Sequence, residues 1–520
     1  MNQDVPQKAG RRQWIGLAVL ALPCLIYSMD LTVLHLAVPK LSADLNPSAA
    51  ELLWIIDIYG FLVAGSLITM GTLGDRIGRR RLLLIGAGAF TVASVVAAFS
   101  NSPGTLIATR ALLGLAGATI APGTLSLIRH MFLDPQQRTM AIGVWITSYS
   151  VGGAIGPLVG GLLLQYFWWG SVFLLSVPVM ALLLILGPML LPEYRDPNPG
   201  RLDLLSAALS LASILSMIFG LKQIAQDGVS PMPLLSIGAG LVIGLLFVRR
   251  QLRLKDPLLD LRLFRLPSFS ASLATYGLAI LFLFGGFLFL PQYLQLVKGM
   301  SPFQSGLWTL PWGLSFVVGS MLTPRLVQHF RPAYVMAVGL VFAAIGFAMF
   351  TRLDESTGFW TFGIGTTIFS LGMAPVFTLT TDLIVGSAPP ERAGAAAAIS
   401  ETSAEFGGAL GIAIFGSIGV ALYRAGLVGA FPDGVSAETL DTARATLGGA
   451  VEVAEKLPGQ AGPELAETAK AAFIRGVQFC AAISAGGSLL LAAFAALMLR
   501  HSGGSPQPAA AQAEAAANVA

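Results

Sequence analysis

The sequence predicts an all-α, polytopic membrane protein with fourteen transmembrane helices, and three observations carry that prediction. Of its 520 residues, 55% are hydrophobic and only 11% are charged, whereas a water-soluble domain carries roughly 25% charge. Apolar windows separated by short polar breaks recur along the whole chain, most of them long enough for a helix to cross about 30 Å of hydrocarbon. Lys and Arg collect in alternate breaks, the pattern of loops kept on the cytoplasmic side.

The windows fall at 13–38, 52–73, 82–100, 104–130, 138–164 and 168–192 (spans 1 to 6), 203–223 and 231–249 (spans 7 and 8), and 268–297, 303–328, 333–352, 358–387, 394–423 and 470–499 (spans 9 to 14). Span 1 begins like a signal peptide but is too long and lacks a small-residue cleavage site, so it reads as uncleaved. With the N-terminus inside, 21 of the 31 Lys and Arg lie in cytoplasmic segments, and both termini are placed there. The net charge of +4 is therefore a topology signal and implies no nucleic-acid partner. Cys24 and Cys480 fall within spans, which excludes a disulfide framework. The four histidines (His35, His130, His329, His501) do not pair at ligand spacing, and no phosphate loop is present. The reading is no enzyme, no metal and no cofactor.

An internal repeat organises the chain. Thr147-Ser148-Tyr149-Ser150-Val151-Gly152-Gly153-Ala154-Ile155-Gly156 in span 5 matches Thr402-Ser403-Ala404-Glu405-Phe406-Gly407-Gly408-Ala409-Leu410-Gly411 in span 13 at six of ten positions, an offset of 255 that also relates Pro135 to Pro390. Spans 1 to 6 then repeat as spans 9 to 14 in parallel orientation, an arrangement common in transporters, whose sites lie near midplane between the halves. The expected divisions are a cytoplasmic tail (1–12), an N-terminal six-helix bundle (13–192), two inserted helices with a linker (193–267), a C-terminal bundle (268–500) and a disordered tail (501–520). The bundle at 268–500 includes an outer helical hairpin at about 425–468, read either as a lid or plug over the last two spans or as a partner surface.

The intramembrane charges carry the chemistry. Asp30 lies in span 1, where a carboxylate costs about 2.5–3.5 kcal/mol and by default faces a cavity or a partner. It sits about 12 Å below the outer end of its span and Arg110 about 9 Å below that of span 4, so Arg110 either pairs with Asp30 or bonds backbone carbonyls. Glu401 and Glu405 share a face of span 13 at i, i+4 spacing and either exchange protons as one unit or make a structural hydrogen bond within the glycine-rich helix. Their repeat partners are Ile146 and Ser150, so the acids are additions to one half. Asp57, near the outer mouth of span 2, either attracts cations or is a boundary charge, and Asp382 reads as structural. Tyr59, Trp145, Tyr149, Trp308, Trp312 and Phe377 are candidates to stack a flat or quaternary cation, or are packing. Gly152, Gly156 and Pro157 set a close helix contact and a kink in span 5.

Four motifs then point to a family. After span 2 runs Gly71-Thr72-Leu73-Gly74-Asp75-Arg76-Ile77-Gly78-Arg79-Arg80-Arg81-Leu82-Leu83, which resembles the signature loop of the major facilitator superfamily. Arg110 to Ala118 is similar to that family's span 4 motif, with Leu113 replacing the usual glutamine. Gly152 to Gly161, with Gly156-Pro157, resembles the drug-antiporter motif of span 5. Met29 to Pro39 resembles the span 1 motif of fourteen-span drug/proton antiporters, with His35 replacing the commoner Asn. Trp54 to Tyr59 and Glu401 narrow the resemblance to multidrug (quaternary ammonium) pumps of the QacA and SmvA type.

The resemblance implies a major facilitator fold and a proton-driven antiporter in the cytoplasmic (inner) membrane of a bacterium, functional as a monomer. Its cargo would be small lipophilic cations such as quaternary ammonium compounds, cationic dyes and biguanide-type antiseptics. The alternative is an exporter of an endogenous metabolite with incidental drug transport. It also implies that Asp75 caps span 13 near Arg392 to Gly394 and acts, with Gly71, Arg76, Gly78 and Arg79, as a gate. Span 10 around Leu310 to Phe316 lacks the acidic residue that some relatives carry, which argues against efficient handling of divalent cations.

Overall fold

The computed structural model describes residues 8–47, 49–195, 203–255, 257–300, 302–389, 392–427, 442–444, 446–457 and 460–500. The tail at 501–520, part of the tail at 1–12 and much of the first half of the hairpin at 425–468 lie outside the described residues. The N-terminal half comprises α1 (Arg11–Leu45), α2 (Ala49–Ile77), α3 (Arg79–Ala98), α4 (Pro103–Gly117), α5 (Ile120–Met131), α6 (Pro135–Tyr166), α7 (Ser171–Leu174) and α8 (Ser176–Leu190). The inserted pair is α9 (Leu204–Asp227) and α10 (Pro231–Gln251). The C-terminal half comprises α11 (Pro267–Phe287), α12 (Leu290–Gln292), α13 (Pro302–His329), α14 (Pro332–Phe350), α15 (Phe359–Ser387), α16 (Ala393–Gly426), α17 (Leu447–Lys456) and α18 (Ala461–Met498).

Thirteen helical segments among the described residues are long and apolar enough to cross a membrane. The fourteenth is α13, 28 residues long and diluted by Pro311 and Pro324. Helix starts follow local chemistry: Ser102 accepts from the Thr105 N–H ahead of Pro103, and Asp134 accepts from the Gln137 N–H ahead of Pro135. Gly78 makes the single-residue turn between α2 and α3 at φ 113°, a conformation only glycine adopts without penalty.

Spans 4, 6 and 9 differ from the continuous helices expected. Each is interrupted where a proline lacks the N–H that would bond the carbonyl four residues back. Pro122, Pro178 and Pro291 lack the N–H that would bond the carbonyls of Ala118, Leu174 and Phe287, at the ends of the segments that precede them.

Packing reproduces the repeat. Helix α1 lies on α6 as α11 lies on α16, and α2 lies on α4 as α13 lies on α15. A Cβ at Gly152 would strike the Leu25 carbonyl, and one at Gly407, its repeat partner, the Gly277 carbonyl. Gly156 likewise crosses α1 at Met29, as Gly411 crosses α11 at Leu281. The side chain of Pro157 lies outside the described residues. The halves meet through α2 on α16 and α6 on α13, the same pairing seen from either side. Inserted helix α9 packs against both α2 and α16, so the pair flanks the seam between bundles, while α10 turns Leu235, Leu241 and Val242 outward. Arg250 and Ser206 bond Asp203 where the pair begins, and Arg250 holds that carboxyl well below the usual carboxylate range.

Candidate functional site

Asp30 and Arg110 meet: Arg110 Nη1 donates to Asp30 Oδ2 at 2.6 Å. Both readings of Arg110 hold at once, because its Nε also donates to the Ile55 carbonyl at 3.2 Å. Its guanidinium lies 4.6 Å from the centre of the Tyr59 ring, and the residue is only 1% exposed. Asp30 keeps 12% of its side chain accessible.

From there an aromatic wall runs along the N-terminal half. Tyr27 sits 6.0 Å from Tyr59 and 5.6 Å from Tyr149, ring centre to ring centre, and Tyr149 sits 4.9 Å from Trp145. Two of these depart from the substrate-stacking reading. Tyr59 is fully buried beneath Arg110, and Trp145, 2% exposed, donates to Thr124 Oγ1 at 2.8 Å. Both are held in the core, as is Tyr27 at 6% exposure; Tyr149 is the half-buried ring of the four. Tyr27 was legible as a polar residue of span 1 at i, i+3 from Asp30, hence on the same helix face.

Glu401 and Glu405 lie across from this wall on α16. Residues Ala393 to Ser400 are buried on every side, and from Glu401 to Phe406 every position is half-buried. Glu401 faces Cys24 and Tyr149 of one half and Tyr276 of the other, and its Oε1 has no hydrogen-bond partner among the described residues. Glu405 faces Tyr27 and Lys222. Neither glutamate makes an ion pair among the described residues.

The remaining candidates lie elsewhere. Asp57 is not a free cation-attracting group, because Lys222 of α9 pairs with it. Trp308 stacks on Phe359 and meets Trp360, which is 78% exposed, a cluster near the start of α13. Phe377 is buried between Tyr276 and Phe316, with Trp312 beside Phe316. Lys222, which lies inside the window 203–223, was not singled out among the candidates.

At the arginine-rich end the seam is closed. Asp75 accepts from the Gly394 N–H at 3.2 Å and the Ala395 N–H at 3.1 Å, placing a carboxylate on the N-terminus of α16. It is also bridged by Arg79 at 2.8 Å, which in turn contacts His130 and lies over Tyr194. Gly71 lets α2 approach α16, since a Cβ there would lie 2.5 Å from the Gly394 oxygen. Arg76 lies in the last turn of α2. A second set of contacts crosses the same seam: Arg138 and Thr139 bond Asp382 at 2.7 Å each, and Arg129 donates to the Val385 and Ala388 carbonyls.

Fold and site together define a polytopic membrane transporter built from two parallel repeats around a buried polar centre. Residues 20–412 match the model of the Major Facilitator Superfamily. The chain is similar to the multidrug efflux pump LfrA of Mycolicibacterium smegmatis (43% identity, 93% of this chain, 95% of that one). It is also similar to the methyl viologen resistance protein SmvA of Salmonella typhimurium (36%; 92% and 96%) and to the tetracenomycin C resistance and export protein of Streptomyces glaucescens (33%; 94% and 92%). Among solved structures, the human organic anion transporter MFSD10 superposes with a TM-score of 0.61 at 15% identity, covering 93% of this chain and 99% of that one. The chain belongs to the major facilitator superfamily; it is a transporter and not an enzyme.

Proposed function

We propose that this chain is an antiporter of a bacterial inner membrane that exports lipophilic organic cations in exchange for protons. Quaternary ammonium compounds, cationic dyes and biguanide-type antiseptics are the cargo we assign to it. The observation that carries the reading is the Glu401/Glu405 pair, two carboxylates one turn apart, outside any ion pair among the described residues, where α16 passes from buried to half-buried. A lipophilic cation gains there from charge and from the half-buried ring of Tyr149, which packs on Tyr27. Protons and cargo compete for the same oxygens, so protonation from outside releases the cation and deprotonation inward restores the acceptor. Asp30, held by Arg110, belongs to the same relay. Exchange of one proton per monovalent cation moves no net charge; a second proton adds about 2.3 kcal/mol per 100 mV.

In this reading the arginine-rich end is cytoplasmic, with both termini, and the Asp75, Gly71 and Asp382 contacts close it while the site faces outward. Helix α17 and the outer extension of α18 act as a lid over a cavity of about 280 Å³ lined by Phe289, Tyr423, Leu447 and Phe473. The protein works as a monomer. The relatives support drug efflux by their names.

Efflux of preloaded ethidium from cells producing the protein tests the proposal. Wild type is expected to empty the cells and to stop when a protonophore collapses the gradient, with Glu401→Gln and Asp30→Asn reduced to the rate of cells lacking the protein. Efflux that persists in both variants overturns it.

A further inference from the structure

At the arginine-rich end a cavity of about 510 Å³ opens between the start of α1 and the ends of α5 and α8. Lys8 and Arg12 line it, with Met131, Leu133 and Leu190 as apolar lining. Arg12 donates through Nη2 to the Met189 carbonyl, which ties the start of α1 to the end of α8. Neither Lys8 nor Arg12 makes an ion pair among the described residues. His130 closes the inner side, with Arg79 Nη1 2.7 Å from its Nδ1 and Tyr194 packed on its ring, and serves as wall.

Among the described residues no acid lies in the lining. The acids next to it in sequence are engaged elsewhere: Asp134 accepts from the Gln137 N–H, and Glu193 from the N–H groups of Arg80 and Arg81. Asp4, upstream of Lys8, lies outside the described residues. Ile15, one turn on from Arg12, stands exposed, as do Met189, whose carbonyl Arg12 holds, and Ile185 a turn before it. In a membrane-spanning chain such side chains meet acyl tails, so this basic cavity has a hydrocarbon flank. A soluble anion would match the cations alone, whereas a lipid matches both. We propose that the cavity binds an anionic phospholipid, its phosphate on Lys8 and Arg12 and its acyl chains along Ile15, Ile185 and Met189. Arg12 offers a fork suited to phosphate oxygens and Lys8 a point charge, and each basic residue near a membrane surface strengthens such binding about fivefold. Binding there depends on neither cargo nor proton exchange.

Native mass spectrometry of the full chain in detergent, titrated with phosphatidylglycerol or phosphatidylcholine, tests the site. Wild type is expected to hold one phosphatidylglycerol more tightly than phosphatidylcholine. Lys8→Gln, a change ahead of α1 that leaves every helix intact, is expected to weaken phosphatidylglycerol binding about fivefold, and Lys8→Gln/Arg12→Gln about twenty-five-fold. Arg249→Gln/Arg253→Gln removes the same charge at the end of α10, outside the cavity, and is expected to bind as wild type does. Equal affinity of wild type for the two lipids overturns the proposal, as does unchanged binding in Lys8→Gln. So does an equal loss in the two double variants, since diffuse charge would then hold the lipid. Excess glycerol 3-phosphate separates a lipid from a free anion: it is expected to leave the phosphatidylglycerol bound, and displacement of the lipid by it would overturn the assignment.

Discussion

Arg110→Ala is expected to abolish export and to cost about 3–5 kcal/mol of stability, the penalty for removing one partner of a buried ion pair. The guanidinium is 1% exposed and serves three masters: the Asp30 carboxylate, the Ile55 carbonyl and the Tyr59 ring. Truncation strands Asp30 with little access to water and leaves a void above Tyr59. Lysine would restore the charge but not the planar fork that reaches a carboxylate and a carbonyl at once, so Arg110→Lys is expected to recover stability in part. Thermal unfolding in detergent, followed by tryptophan fluorescence, reads the stability, and ethidium efflux reads function. The double variant Asp30→Asn/Arg110→Ala should unfold later than Arg110→Ala while remaining inactive. An Arg110→Ala protein as stable as wild type would show that the pair is not buried as described.

Gly71→Val is expected to lower export at least about tenfold by forcing α2 and α16 apart, since overpacking at a tight contact costs about 1–3 kcal/mol. A Cβ at Gly71 meets the Gly394 oxygen at 2.5 Å and the Ala398 Cβ at 2.6 Å, and one at Gly394 runs into the Asp75 carboxylate. The Gly394 oxygen cannot move away without breaking the helix that owns it. The defect weakens the closed seam, along with the two N–H bonds that Asp75 accepts from the start of α16. Ser400→Cys supplies a nearly isosteric reporter at a position with no exposure. Its labelling by a maleimide from the arginine-rich side should be slow alone and accelerated when combined with Gly71→Val. Equal labelling in the two backgrounds, with export intact, would refute the seam as a closure.

What the sequence made legible was what is costly to place in a bilayer. Asp30, Arg110, Glu401 and Glu405 stand out because each interrupts an apolar run, and Asp75 stands out within a loop of glycines and arginines. The repeat was legible from Gly152 and Gly156 against Gly407 and Gly411 because close helix crossings tolerate no side chain, and the structure places both pairs at equivalent crossings. Facing was not legible. Tyr59 and Trp145 read as cargo contacts or as packing with nothing in the sequence to choose between them, and Arg110 and Thr124 hold them in the core. Lys222 fell at the edge of an apolar window ending at 223, but α9 continues to Asp227, which carries the lysine a turn inside. The breaks in spans 4, 6 and 9 were marked by Pro122, Pro178 and Pro291, a signal that hydropathy averages away.

The most direct test of proton and cargo sharing one site is proton release on binding. Tetraphenylphosphonium added to purified protein in weakly buffered detergent solution near neutral pH should acidify the medium by about one proton per bound cation, and Glu401→Gln should release fewer or none. Binding of the cation by the wild type with no proton released across that pH range would contradict competition at the Glu401/Glu405 pair, and with it the exchange mechanism.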